Sequence, residues 1–172
     1  MRNSLYIIVL FLIAGCSSSK VVYDYDAKTD FSKYTTYHFF DDVGEGLNEL
    51  DVKRFTRSIE NVLDSLQIQK SEQPSFFINV ISEKSDAVGD DVGVGIGGGG
   101  RNIGIGISTG ISFGGNKINE RITLEFVDSA SNTLFWEGVI NVKVREKIKP
   151  EDRVVLVDKI IRKILSKYPP KG

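Results

Sequence analysis

Residues 117–128 read Lys117-Ile118-Asn119-Glu120-Arg121-Ile122-Thr123-Leu124-Glu125-Phe126-Val127-Asp128, and Ser129-Ala130-Ser131-Asn132 follows. Ile122, Leu124 and Phe126 alternate with Arg121, Thr123 and Glu125. Successive side chains of a strand leave opposite faces, so this alternation predicts a strand with one apolar face. The small polar residues after it predict a turn. Beyond the turn Leu134, Trp136, Ile140, Val142 and Val144 fall on one side of a second long strand. Together they predict an antiparallel hairpin. Its apolar face needs a cover, and the flanking sequence offers two.

Upstream, Val52, Phe55, Ile59, Val62 and Leu66 recur at spacings of three and four and line one face of a helix. Asp51, Arg54, Arg57, Glu60 and Asp64 lie mostly on the opposite face. Downstream, Pro150-Glu151-Asp152 opens a second helix: proline suits the first turn, and the acids oppose the positive end of the helix dipole. Val154, Val157, Ile161, Ile164 and Tyr168 form its predicted buried face, Lys163 and Lys167 suit its end, and Pro169-Pro170 stops it. Val21–Tyr25, Thr35–Phe40 and Phe76–Ile81 read as further strands, with a turn at Asp30-Phe31-Ser32 and a loop over Asp41–Gly46. The order is strand, strand, helix, strand, hairpin, helix. It predicts a single α+β two-layer domain over 21–172, with a mostly antiparallel sheet of about five strands covered by two helices.

The start of the chain is of another kind. Met1-Arg2-Asn3-Ser4 is short and polar, and an apolar run extends from Leu5 to Ala14. As helix that run covers roughly 15 Å, half of a bilayer core, which suits a signal-peptide core rather than a permanent span. It ends in Ile13-Ala14-Gly15-Cys16, which resembles a lipobox. The resemblance implies cleavage after residue 15, a thioether diacylglycerol on Cys16 and a further acyl chain such as palmitate on its amine. Cys16 is the only cysteine, so no internal disulfide can form. Residues 16–20 are then a tether that reaches at most ~17 Å. Ser17, not aspartate, follows the cysteine. That favours the outer membrane of a Gram-negative envelope, with the domain facing the periplasm.

Cleavage leaves about 157 residues, enough for one domain. With 41% apolar and 26% charged residues the composition is globular, and a net charge of −1 argues against nucleic acid.

Between residues 88 and 115 glycine or serine alternates with Val, Ile or Phe, as in Val92-Gly93-Val94-Gly95-Ile96-Gly97 and Ile103-Gly104-Ile105-Gly106-Ile107. At the strand period one face is apolar and the other nearly bare. Four readings compete for this insert. Gly95, Gly97 and Gly100 satisfy a GxGxxG pattern, but no helix pattern follows, and Lys117 completes no phosphate loop. Asp86, Asp90 and Asp91 are acids of the kind that bind calcium, without the repeat such loops need. A ribbon with an exposed apolar edge invites self-association, an envelope protein or membrane contact. The plainest reading is a hairpin or loop lying on its own domain.

Catalytic inventory is thin. His38, the only histidine, sits between Tyr37 and Phe39 in a predicted strand and reads as a structural imidazole. With one histidine and one cysteine, no nucleophilic triad and no His/Cys metal site is indicated, and no cofactor is implied. Asp24 with Asp26, and Asp41 with Asp42, are the paired acids a hydrolase would use. Trp136-Glu137-Gly138 reads as a core anchor beside a glycine that admits a close neighbour, or else as a recognition patch.

Three segments carry a family resemblance: Tyr23-Asp24-Tyr25-Asp26 with Asp30-Phe31-Ser32-Lys33-Tyr34-Thr35-Thr36-Tyr37; Phe126-Val127-Asp128 with Leu134-Phe135-Trp136-Glu137-Gly138; and Ile164-Leu165-Ser166-Lys167-Tyr168-Pro169-Pro170. They resemble the bacterial lipoprotein family catalogued as domain of unknown function 4136, over essentially the whole mature chain. Many members of that family carry a Gly- and aromatic-rich middle. Phe39 stands near a position where the family often has tryptophan, which keeps an aromatic residue there. The resemblance implies location and fold, but no activity and no catalytic residues.

The leading expectation is a membrane-anchored lipoprotein whose non-catalytic periplasmic domain binds or assembles with an envelope partner. The alternative is a small-ligand or carbohydrate-binding domain using Tyr34, Tyr37 and Trp136. A carboxylate hydrolase comes third.

Overall fold

The computed structural model describes residues 19–86 and 117–170. The expected signal peptide 1–15, the lipobox-like Ile13, Ala14, Gly15 and Cys16, and the Gly-rich insert 88–115 lie outside the described residues; of the expected tether 16–20 only Ser19 and Lys20 lie within them. The chain runs β1 (Val21–Tyr25), one turn of 3₁₀ helix (Phe31–Lys33), β2 (Thr36–Phe39), α1 (Glu49–Ser65), β3 (Gln69–Lys70), β4 (Phe76–Asp86), β5 (Lys117–Asp128), β6 (Leu134–Arg145) and α2 (Pro150–Leu165).

The hairpin is present: β5 pairs antiparallel with β6, from Lys117 opposite Arg145 to Phe126 opposite Trp136. The sheet built around it is mixed rather than mostly antiparallel, and it has six strands, not five, in the order β1-β6-β5-β4-β2-β3. β1 with β6, β6 with β5, and β5 with β4 are antiparallel, whereas β2 pairs parallel with both β4 and β3. The parallel pairs follow from α1, which carries the chain back along the sheet between β2 and β4 and so makes a crossover connection. β3 escapes prediction because two residues carry no period. It forms where α1 stops and Gln67 takes a left-handed φ of 62°. β4 runs on to Asp86, well past the apolar stretch at 76–81, because its polar half pairs along β5.

Both helices cover the same sheet face. α1 starts at Asn48, whose side chain accepts from the Asp51 N–H at 2.9 Å. α2 starts at Pro150, as its sequence predicts, with Glu151 and Asp152 in the first turn. Beneath them lie Phe76, Ile78 and Val80 of β4, Ile122, Leu124 and Phe126 of β5, and Trp136 and Ile140 of β6, all buried. Phe126 is a hub, with ring centroids 4.8 Å from both Trp136 and Tyr168. Tyr34 stacks on Phe135 at 3.8 Å. Each such ring contributes roughly 1.5–3 kcal/mol by burial alone.

Three apolar positions read as buried are exposed: Leu66, Leu134 and Val154. Leu66 is the residue that caps α1 rather than part of its stripe. Leu134 is displaced by a register shift at Phe126/Val127 in the β5–β6 ladder. This β-bulge turns Phe135 inward beside Trp136, so two consecutive residues are buried and Leu134 faces out. Val154 yields its place to Arg153, which is buried instead. Among the described residues, no helix is long and apolar enough to cross a membrane.

Candidate functional site

Three charged side chains sit on apolar stripes. In α1 the buried face runs Asp51, Phe55, Ser58, Ile59 and Val62, and in α2 it runs Arg153, Val157, Ile160, Ile161 and Ile164. In β5 the alternation that buries Ile122, Leu124 and Phe126 also buries Glu120. A buried charge needs a partner, and these three find one another. Arg153 donates through Nη1 to Glu120 Oε2 at 2.6 Å and through Nη2 to Glu120 Oε1 at 2.7 Å. The same guanidinium donates to Asp51, from Nε to Oδ1 at 3.2 Å and from Nη2 to Oδ2 at 3.0 Å. Arg54 adds a second cation, 2.8 Å from Asp51 Oδ1, and the Ser82 hydroxyl donates to Glu120 Oε1 at 3.0 Å.

The cluster forms the floor of an open cleft of about 330 Å³ between the starts of α1 and α2 and the ends of β5 and β6. Leu50, Ile118, Val144 and Ile148 supply its apolar wall, and Lys84 and Arg145 its charged rim. Burial pushes the Asp51 carboxyl up, but the hydrogen bonds of Arg153 and Arg54 outweigh that and hold it below the ordinary range. Burial pulls the Arg153 guanidinium down, and its bonds to Glu120 and Asp51 reverse this and raise it. All four carboxylate oxygens accept from a guanidinium. This pair is therefore a clamp on Arg153 that ties α1, α2 and β5 together, and not a free acid and base.

The sequence-based candidates are scattered. Tyr34, Tyr37 and Trp136 are all buried, so they form no exposed aromatic platform. The Tyr34 hydroxyl donates to Asp128 at 2.8 Å. Trp136 is the core anchor its sequence context suggests. A Cβ at Gly138 would stand 2.6 Å from Ile164 Cγ2 and 2.7 Å from the Trp136 ring, so only glycine fits there. His38 is half-buried on the open sheet face, with Nδ1 2.9 Å from the Phe39 carbonyl oxygen and Nε2 3.8 Å from Glu72. Asp24 and Asp26 each accept from a nearby backbone N–H, of Tyr25 and Lys28 at 2.9 Å. Asp41 and Asp42 lie in an exposed turn. Asp86 ends β4, while Asp90, Asp91, Gly95, Gly97 and Gly100 fall outside the described residues. No group of three His, Cys, Asp or Glu among the described residues is placed to hold a metal.

Sequence reading missed this cluster and assigned Asp51 to the solvent face. The signal was present all the same: opposite charges at Asp51, Glu120 and Arg153 each interrupt an apolar period.

With this architecture in hand, residues 21–170 match the family model described as Domain of unknown function (DUF4136). The chain belongs to the DUF4136 family. No curated protein matches this DUF4136 chain. Among solved structures it is similar to a PDZ domain protein from Parabacteroides distasonis, with a TM-score of 0.54 and 12% identity, over 99% of this chain and 41% of that one. It thus spans about two fifths of that protein's length. It is also similar to the PelC dodecamer from Paraburkholderia phytofirmans, with a TM-score of 0.50 and 10% identity, over 87% of this chain and 96% of that one. At such identities the likeness is one of fold.

Proposed function

We propose that this DUF4136 chain is a lipid-anchored lipoprotein of the Gram-negative outer membrane, whose periplasmic domain binds or assembles with an envelope partner and does no chemistry. One observation carries the anchor: the apolar run Leu5–Ala14 ends in Ile13-Ala14-Gly15-Cys16, and the sole cysteine occupies the position that lipidation requires. Two or more acyl chains suffice for stable anchoring. The non-catalytic reading is supported by the fate of the buried acids, since Asp51 and Glu120 are consumed by Arg153. Assembly is supported by the apolar alternation of the insert and by the existence of a similarly folded chain, PelC, as a dodecamer.

Labelled palmitate tests the anchor. Wild-type protein should incorporate the label and partition into detergent, and Cys16→Ser should do neither. A Cys16→Ser protein that partitions like wild type overturns the anchor. Crosslinking in intact cells tests assembly: the products should vanish when residues 89–115 are deleted, and their persistence removes the insert from that role. A second reading, a small-ligand domain, rests on the cleft above Arg153 and no longer on the aromatic residues.

A further inference from the structure

β1 is antiparallel to β6, with Val21 opposite Ile140 and Tyr25 opposite Trp136. The chain before Val21 therefore leaves the sheet in the direction in which β6 runs on to Arg145. Two other features meet at that end. β4 finishes at Asp86 and β5 starts at Lys117 at this end, and the β6–α2 connection passes there. The lengths agree. From Ile140 to Arg145 the strand rises about 17 Å. The stretch from Cys16 to Val21 spans at most ~17 Å. Even fully extended, the tether brings Cys16 only about level with Arg145.

The strand ends and the β6–α2 connection here carry a group of cations, two of them directly opposed. Lys117 lies directly opposite Arg145 in the ladder, and like charges across a strand pair repel. Lys147 and Lys149 follow on the connection, both exposed, and Lys84 stands at the end of β4. Among the described residues none of these five forms an ion pair, whereas Arg121 farther along β5 is offset by Glu83 at 3.5 Å. The acids interspersed with them are otherwise engaged or few: Glu83 pairs with Arg121 and Glu120 is held by Arg153, Asp86 and Glu146 are exposed, and Glu49, Glu151 and Asp152 of the helix layer sit at the positive N-terminal ends of α1 and α2. Leu50, 62% exposed, projects from the same end.

We propose that this end of the domain is its membrane-facing surface, with Lys117, Arg145, Lys147 and Lys149 seated on the headgroups of anionic phospholipid. The inference rests on the anchored reading above, since the short tether is what holds this end down. An anionic surface relieves the repulsion between Lys117 and Arg145 and draws juxtamembrane cations toward it, with a reach of about one Debye length.

The test uses the full-length lipidated protein, reconstituted into vesicles of phosphatidylcholine alone or with phosphatidylglycerol. A fluorophore is placed on Ser85→Cys, at the proposed contact end, or on Ala130→Cys, in the turn at the opposite end. A headgroup-bound quencher should quench the probe at 85 at least two-fold more than the probe at 130. The contrast should grow with phosphatidylglycerol and shrink in high salt. Lys117→Glu with Arg145→Glu and Lys147→Glu should remove the dependence on phosphatidylglycerol, while Lys28→Glu, in an exposed turn beyond Tyr25, should leave it intact. Circular dichroism of each variant checks the fold. Protein that floats with vesicles yet is quenched equally at both positions, or is indifferent to lipid charge, overturns this inference and leaves the anchor standing. Protein that does not float refutes the anchored reading and this inference with it.

Discussion

Arg153 of α2 grips Asp51 of α1 across 102 positions of sequence, through hydrogen bonds of 3.0 and 3.2 Å, both ends nearly closed to solvent. The contact decides how the two helices sit on each other, because the same guanidinium also holds Glu120 of the sheet. One side chain thus links both layers of the domain.

Removing that side chain alone should be severe. Arg153→Met strands two buried carboxylates, and breaking a buried ionic cluster in this way costs about 3–5 kcal/mol. Replacing Arg153, Asp51 and Glu120 together by apolar residues of similar volume should recover most of the loss, since no charge then lacks its partner. Urea unfolding of the single and triple variants measures both. A single variant as stable as wild type would show that the cluster is not the clamp described.

Acid should weaken the fold through Asp128 and Asp51. Asp128 is held well below the ordinary carboxylate range, first by the Ser131 backbone N–H and then by the Tyr34 hydroxyl. Asp51 is also lowered, its burial outweighed by Arg153 and Arg54. A carboxylate depressed in the folded state binds protons more weakly there than in the unfolded chain. Its stabilisation is complete above the unfolded value of about 4 and is lost as pH falls through the folded value. Stability should therefore hold from pH 7 to about pH 5 and drop below that. Asp128→Asn should start lower and lose less on acidification, which urea midpoints at successive pH values will read. An acid slope equal to that of wild type contradicts the assignment.

Two buried tyrosines should respond oppositely to loss of their hydroxyls. Tyr34→Phe deletes a 2.8 Å bond to ionised Asp128, a loss of about 1.5–3 kcal/mol. The Tyr168 hydroxyl is buried with no hydrogen-bond partner among the described residues, so Tyr168→Phe should be neutral or slightly stabilising. Thermal midpoints of the two variants, side by side, check the contrast.

Gly138→Ala should strain the core. The added methyl meets Ile164 and the Trp136 ring well inside contact distance, and overpacking of this kind costs about 1–3 kcal/mol. Tryptophan fluorescence reports it specifically, because Trp136 is the only tryptophan. An unchanged emission spectrum together with unchanged stability would mean the contact is absent in solution.

Much of this was written locally. The period of two in β5, the spacings of three and four in α1 and α2, and Pro150 at a helix start each depend on residues a few positions apart, and each element appears where those residues place it. Gly138 beside Trp136 was legible for the same reason.

By itself the sequence determined the two long strands, both helices, the layer they form and the family to which the chain belongs, because side-chain periodicity is set by local geometry and solvent. Only the tertiary structure decided the rest. It placed β2 parallel to β4, added β3 as a two-residue edge and turned Phe135 inward at a bulge. It also brought Asp51, Glu120 and Arg153 into one buried cluster. These depend on partners supplied from distant parts of the chain. A charge on an apolar stripe announces that it needs a partner, but only the folded chain shows which one it finds.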